Sequence, residues 1–179
     1  MAARRTLAVV SAMVLVLALA GAAVLALNVR GEEPLGDHAS PVPASAELVA
    51  RGAYLARVGN CAGCHTAQGG ADYAGGRGIS TPFGTVYAGN LTPDAATGIG
   101  AWSSGDFWRA LHHGRSRDGR LLYPAFPYTS YTQVTREDSD ALYAYLRSLP
   151  AVPQARPAHA LRFPYSTQAA LAVWRALNF

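Results

Sequence analysis

Residues 59–65, Gly-Asn-Cys-Ala-Gly-Cys-His, hold both cysteines of the chain and one of its five histidines. Four chemistries compete for Cys61, Cys64 and His65. A redox dithiol of Cys-x-x-Cys type sits at a strand end in a βαβ setting, and nothing before Asn60 reads as a strand. A disulfide across two intervening residues closes too small a loop to stabilise much. A structural zinc takes about four ligands, and Cys61, Cys64, His65 and one distant histidine barely supply them. The fourth is attachment of a c-type haem. Thiols one helical turn apart each form a thioether with one vinyl group, and the imidazole immediately behind them lies beneath the iron. Cys61 and Cys64 are therefore read as cofactor-binding residues and His65 as the proximal metal ligand.

The elements that must hold this motif are few. Ser45 has the character of an N-cap, and ELVARGAYLARV places Leu48, Leu55 and Val58 at helical spacing. Between Gly59 and Gly119 lie 14 of the 18 glycines, which predicts a long, irregular, loop-rich middle and no sheet. Within it Ser103 to Asp106 has capping-box spacing and leads into FWRALHH; Thr135 to Asp138 does the same for SDALYAYLRSL, which Pro150 stops. A last helix is expected from Thr167 to Leu177. The chain reads as mainly α, and two principal helices in about 100 residues make a meagre core. A haem would complete it. No acid–base or nucleophile constellation accompanies the motif, so an enzyme active site is not expected.

The N-terminus carries a second signal. No charge occurs from Thr6 to Val29, with Arg4 and Arg5 before the run and Arg30 after it. About 20 apolar residues span a bilayer, whereas the apolar region of a cleavable signal is about 7–15. An uncleaved transmembrane anchor is the preferred reading, and cleavage near Ala18-Leu19-Ala20-Gly21 is the rival. Both export residues 31–179, which carry 12 arginines against 11 acids, 12 − 11 = +1. That balance implies no basic face for nucleic acid. The chain has no lysine at all, read here as compositional bias. The expected organisation is an anchor at 1–30, an acidic, proline-rich linker at 31–44, a haem domain at 45–152 and an extension with one helix at 153–179.

Four stretches extend the motif into a wider likeness: RGAYLARVGNCAGCHTA (51–67), NLTPDAATGIGAWSSGDFWRALHHG (90–114), DGRLLYPAFPYTSY (118–131) and DALYAYLRSLPAV (140–152). From about Val49 to Val152 the chain resembles a haem domain of the cytochrome c subunits of bacterial membrane-bound dehydrogenases that oxidise alcohols, aldehydes and related substrates. The resemblance implies a class I cytochrome c fold, with Gly52 and Tyr54 of the first helix crossing Leu142, Tyr145 and Leu146 of the last. It implies one covalently attached haem c and a role as electron-transfer subunit. A dehydrogenase catalytic subunit would be the donor, a quinone or terminal oxidase the acceptor, and the bacterial inner membrane the location, with the haem domain facing the periplasm.

The sequence departs from that family twice. There is one Cys-x-x-Cys-His motif where relatives often carry several, which leaves a single-haem protein and a piece of a longer chain as alternatives. The methionine expected as sixth iron ligand is also missing. Its place is taken by Phe126, Val134 is no ligand, and the two methionines are Met1 and Met13. His112 or His113 replacing it, or an open iron position, are the alternatives, with Tyr123, Tyr128 and Tyr131 weaker. An open position would suit a gas-binding or peroxide-reactive haem protein. His38 and His159 are read as structural or solvated, Trp102, Phe107 and Trp108 as pocket wall or core, and the Asn90-Leu91-Thr92 sequon is given little weight.

Overall fold

A computed structural model describes residues 2–30, 32 and 45–179. His38 and most of the expected linker lie outside the described residues. The fold is about half helical: α1 Ala2–Val29, α2 Ala46–Val58, α3 Cys61–His65, β1 Gly78–Thr81, β2 Gly84–Tyr87, α4 Ser104–His113, α5 Arg136–Ser148, β3 Ala160–Leu161 and α6 Gln168–Asn178. The caps explain the helix starts. Ser45 accepts from the Leu48 N–H, Ser103 and Asp106 form a reciprocal capping box, Thr135 accepts from Asp138 and Thr167 from Ala170.

The core forms where α2 crosses α5. Ala56, Leu142 and Leu146 are buried there with Tyr73, Ile99, Phe107 and Leu111. Gly52 allows the close approach, since a Cβ at that position would lie 1.9 Å from the Ala141 carbonyl oxygen. Two expected members stand elsewhere. Tyr54 and Val58 are exposed, because the buried stripe of α2 runs through Gly52, Leu55 and Ala56. Trp108 is likewise outside the core cluster, stacked on His112 at 3.4 Å between centroids, with the Arg136 guanidinium 5.6 Å above its ring.

The expectation of no sheet is corrected. β1 and β2 pair antiparallel from Gly78 opposite Tyr87 to Thr81 opposite Gly84, and β3 adds to β2 with Thr85 opposite Ala160. Ile79, Thr81, Thr85 and Val86 give these short strands their β-branched character, and the surrounding glycines mask it. The third strand comes from the C-terminal extension, which wraps the domain instead of trailing from it. Asn90 donates to the Val152 carbonyl, His159 accepts from the Tyr87 N–H, and Gln168 bonds both backbone groups of Leu121.

α1 is long and apolar enough to cross a membrane. Its last turn is fastened to α6 and to the residues after α4. The Asn28 amide donates to the Ala172 carbonyl, and Arg175 donates to the Asn28 carbonyl and to Glu32. Arg115 bonds both Glu32 carboxylate oxygens at 2.9 Å and donates to the Asn28 carbonyl as well.

Candidate functional site

α2 delivers the chain to the motif. It stops at Val58, and Asn60, in the left-handed region at φ 50°, turns the backbone into α3. α3 is the motif itself, so Cys61 and Cys64 stand one turn apart, with His65 behind them. Both cysteines are free thiols. Burial pushes the Cys61 thiol above its ordinary value, which keeps it protonated and unlike an activated redox nucleophile. Among the described residues no group of three or more His, Cys, Asp or Glu side chains is arranged to hold a metal ion, so the zinc reading gains no support.

The decisive contact is on His65. Its Nδ1 lies 2.7 Å from the Gly89 carbonyl oxygen. A carbonyl only accepts, so Nδ1 carries the proton and Nε2 keeps the lone pair a metal needs. Burial holds the ring below the ordinary imidazole value, against the pull of the Gly89 bond, which favours the neutral ligating form. The backbone around it is closed tightly. The Gly75 N–H donates to the His65 carbonyl at 2.6 Å, and Gly75 sits at φ 77° with no room for a Cβ, which would fall 2.6 Å from Gly89.

Cys61 packs on the same core cluster as the part-buried apolar side chains Ala62, Leu91, Trp102, Phe126 and Tyr131. Large apolar groups left half-covered on one core that also carries a motif thiol are what a flat apolar ring would finish covering. The residues present fit a c-type haem. Each thiol would add across a vinyl group, forming one C–S bond while its hydrogen goes to the neighbouring carbon, and His65 Nε2 would ligate the iron.

The loop opposite is held in place locally. The Phe126 ring meets Tyr131 at 5.3 Å, and the Tyr131 hydroxyl donates to the Gly59 carbonyl at 3.3 Å, tying this loop to the turn that starts the motif. The two histidines considered as a sixth ligand have other partners. The His112 Nε2–H donates to the Val134 carbonyl at 2.6 Å while its ring stacks on Trp108. His113 meets Phe179 edge-on at 6.4 Å, and burial holds it below the ordinary imidazole value against the pull of Glu32. Among the described residues, no hydrogen bond or ring contact of either histidine reaches α3. Tyr128 is buried against Trp174 and Phe179, and Tyr123 lies against His159 at 4.6 Å. His159 is structural, as expected.

Sequence reasoning missed Gly89, because a carbonyl acceptor leaves no mark in residue type. It also missed Asn90, which accepts from the Thr92 N–H and hydroxyl and reaches Val152 across the domain. The sequon reading is empty for a physical reason, since Asn90 is buried and its amide is committed.

Comparison with known proteins agrees with this geometry. The family model described as Cytochrome c matches residues 49–150. The chain is 47% identical over 131 residues to the gluconate 2-dehydrogenase cytochrome c subunit of Pantoea cypripedii, covering 73% of this chain and 30% of that protein. It is 44% identical over 135 residues to the cytochrome c subunit of the quinone-type alcohol dehydrogenase of Gluconacetobacter polyoxogenes, covering 75% and 29%. It is 41% identical over 169 residues to the fructose dehydrogenase cytochrome subunit of Gluconobacter japonicus, covering 92% and 33%. The chain thus spans about a third or less of the length of these relatives. With the motif helix, the tautomer-fixed His65 and a family match over more than half its length, the chain belongs to the cytochrome c family, whose domain implies haem c.

Proposed function

We propose that this chain is a membrane-tethered electron carrier, holding one covalent haem on Cys61 and Cys64 with His65 as proximal ligand. It takes single electrons from a partner dehydrogenase subunit and passes them to a quinone or terminal oxidase at the periplasmic face of a bacterial inner membrane. The observation that carries the reading is the His65 Nδ1–H bond to Gly89, which presents a ligating nitrogen beside two free thiols. A haem bound there supplies a one-electron couple. Cys61 and Cys64 would hold it against loss and His65 Nε2 would ligate its iron. The names of the relatives, cytochrome subunits of gluconate, alcohol and fructose dehydrogenases, support a dehydrogenase partner. The apolar α1 supports the tether. The domain is read as 45–152, with 153–179 as a strap closing it.

A second reading rests on Phe126. Phe126 stands in the loop where the family's methionine is expected and can supply no ligand, so a bound haem would lack that sixth ligand, which would suit binding of a small gas or reaction with peroxide. Visible spectra of the protein matured in an exporting host, oxidised and reduced, with and without carbon monoxide, separate the two. Low-spin bands indifferent to the gas are expected for the carrier. A high-spin spectrum that shifts with the gas favours the second reading, and absence of haem bands overturns both.

A further inference from the structure

α6 buries its one charge and leaves two large apolar side chains on its outer face, which is unusual for a helix on a water-soluble surface. Its sequence, QAALAVWRALN, has one charged residue, Arg175, and that residue is 1% exposed, while Val173 is 48% and Leu177 79% exposed. Val173 and Leu177 are four residues apart and so share a face. Ordinary amphipathic helices do the reverse, burying the apolar stripe and wetting the charges. The inward face has its partners: Leu171 is buried, Arg175 is spent on Asn28 and Glu32, and Trp174 packs on Tyr128. The outward face is left largely uncovered, half of Val173 and most of Leu177 being exposed.

The position of α6 says what covers that face. Its Ala172 carbonyl accepts from Asn28 at 2.8 Å, and Asn28 lies in the last turn of α1, one residue before the helix ends. α1 carries no charge from Thr6 to Val29, and Arg30 follows. Where α1 leaves the apolar slab, α6 is therefore bonded to it, and Val173 is the next residue after the bond. The one carboxylate at this junction is shared, Glu32 pairing with both Arg115 and Arg175, so the buried Arg175 charge is not left unpaired.

We infer that α6 lies in the surface of the membrane, with Val173 and Leu177 in the acyl boundary, and that it sets the orientation of the whole domain. This rests on the proposed tether by α1. The consequence for the site follows from Tyr128, which is buried between Trp174 and Phe179 on one side and is two residues from Phe126 on the other. The loop carrying Phe126 is thus backed by α6, one helix diameter of ~10 Å from lipid. That side of the site faces the membrane, and the α3 side stays open to a water-borne donor.

The test is photolabelling of the full chain in phosphatidylcholine vesicles whose acyl chains carry a diazirine, with adducts mapped by mass spectrometry. Adducts on α1 and at Val173 and Leu177 are expected. The Val173→Asp/Leu177→Asp variant should lose the α6 adducts while keeping those on α1 and its haem spectrum. Adducts on α1 alone in the parent chain overturn the inference, as do crosslinks showing a second copy seated on α6. Adducts on neither helix overturn the tether reading itself, so the two failures are distinct.

Discussion

At the residue scale, the roles of the side chains in the site follow from their partners. His65 is bound to a carbonyl, so its free nitrogen is determined, and Phe126 is fixed by Tyr131. Replacing Phe126 with methionine places a thioether in that loop. The Phe126→Met protein is expected to show a higher midpoint potential by redox titration and loss of any carbon monoxide shift, because methionine ligation raises the potential of a His-ligated haem. An unchanged potential would show that this loop does not approach the iron. His159 gives a second prediction. Burial first, then the charges of Arg156 and Arg120, push its pKa down to about 4 from the ordinary 6.5. Since the folded value lies below the unfolded one, the unfolded chain binds the proton more tightly. Stability is therefore full above pH 6.5 and is lost as the pH falls toward 4. In His159→Asn the amide oxygen still accepts from the Tyr87 N–H but does not titrate. Urea melts across that range should fall less steeply with acid for the variant than for the parent.

At the element scale, the crossing of α2 on α5 sustains the domain, and its tolerance is narrow. A methyl group at Gly52 would have to push aside the Ala141 backbone and the Tyr145 Cβ 2.7 Å away. Gly52→Ala is expected to cost about 1–3 kcal/mol or more, as overpacking does, despite the better helix propensity of alanine. Its midpoint in chemical denaturation should fall accordingly, and a midpoint equal to the parent's would contradict the crossing. Ser103→Ala, which removes half of the capping box of α4, should cost about 1 kcal/mol in the same measurement.

At the scale of the whole molecule, three parts far apart in the chain meet where Arg115 and Arg175 both donate to the Asn28 carbonyl and to Glu32. Arg115 follows α4, Arg175 belongs to α6, and Asn28 closes α1. Arg175→Met keeps the length and apolar stem of the side chain but removes the donors to Asn28 and Glu32. Arg115 still holds Glu32, so the loss should be that of one charged hydrogen-bond set, about 1.5–3 kcal/mol, read as a lower melting midpoint in detergent. The haem bands of that variant should be unchanged, because Arg175 is remote from α3. A shifted spectrum would mean that the α1–α6 junction and the haem site are not separate, and an unaltered midpoint would mean that the junction contributes nothing to the fold.

What is local could be read directly from the order of residues. The spacing of Cys61, Cys64 and His65, the capping residues Ser45, Ser103 and Thr135, and the uncharged run of α1 each act over a few residues, and all were legible. Tertiary structure decided what depends on partners distant along the chain. Gly89 holds His65 across 24 residues, β3 finds β2 across more than seventy, and Arg175 is buried by an asparagine 147 residues away. Backbone acceptors and burial are not written in residue type. So the sequence presents Val58 and Tyr54 as core and α6 as an ordinary closing helix. The physical reason is that a helix's stripe is defined only by what packs against it, and the partners of α2 and α6 are chosen by the whole fold.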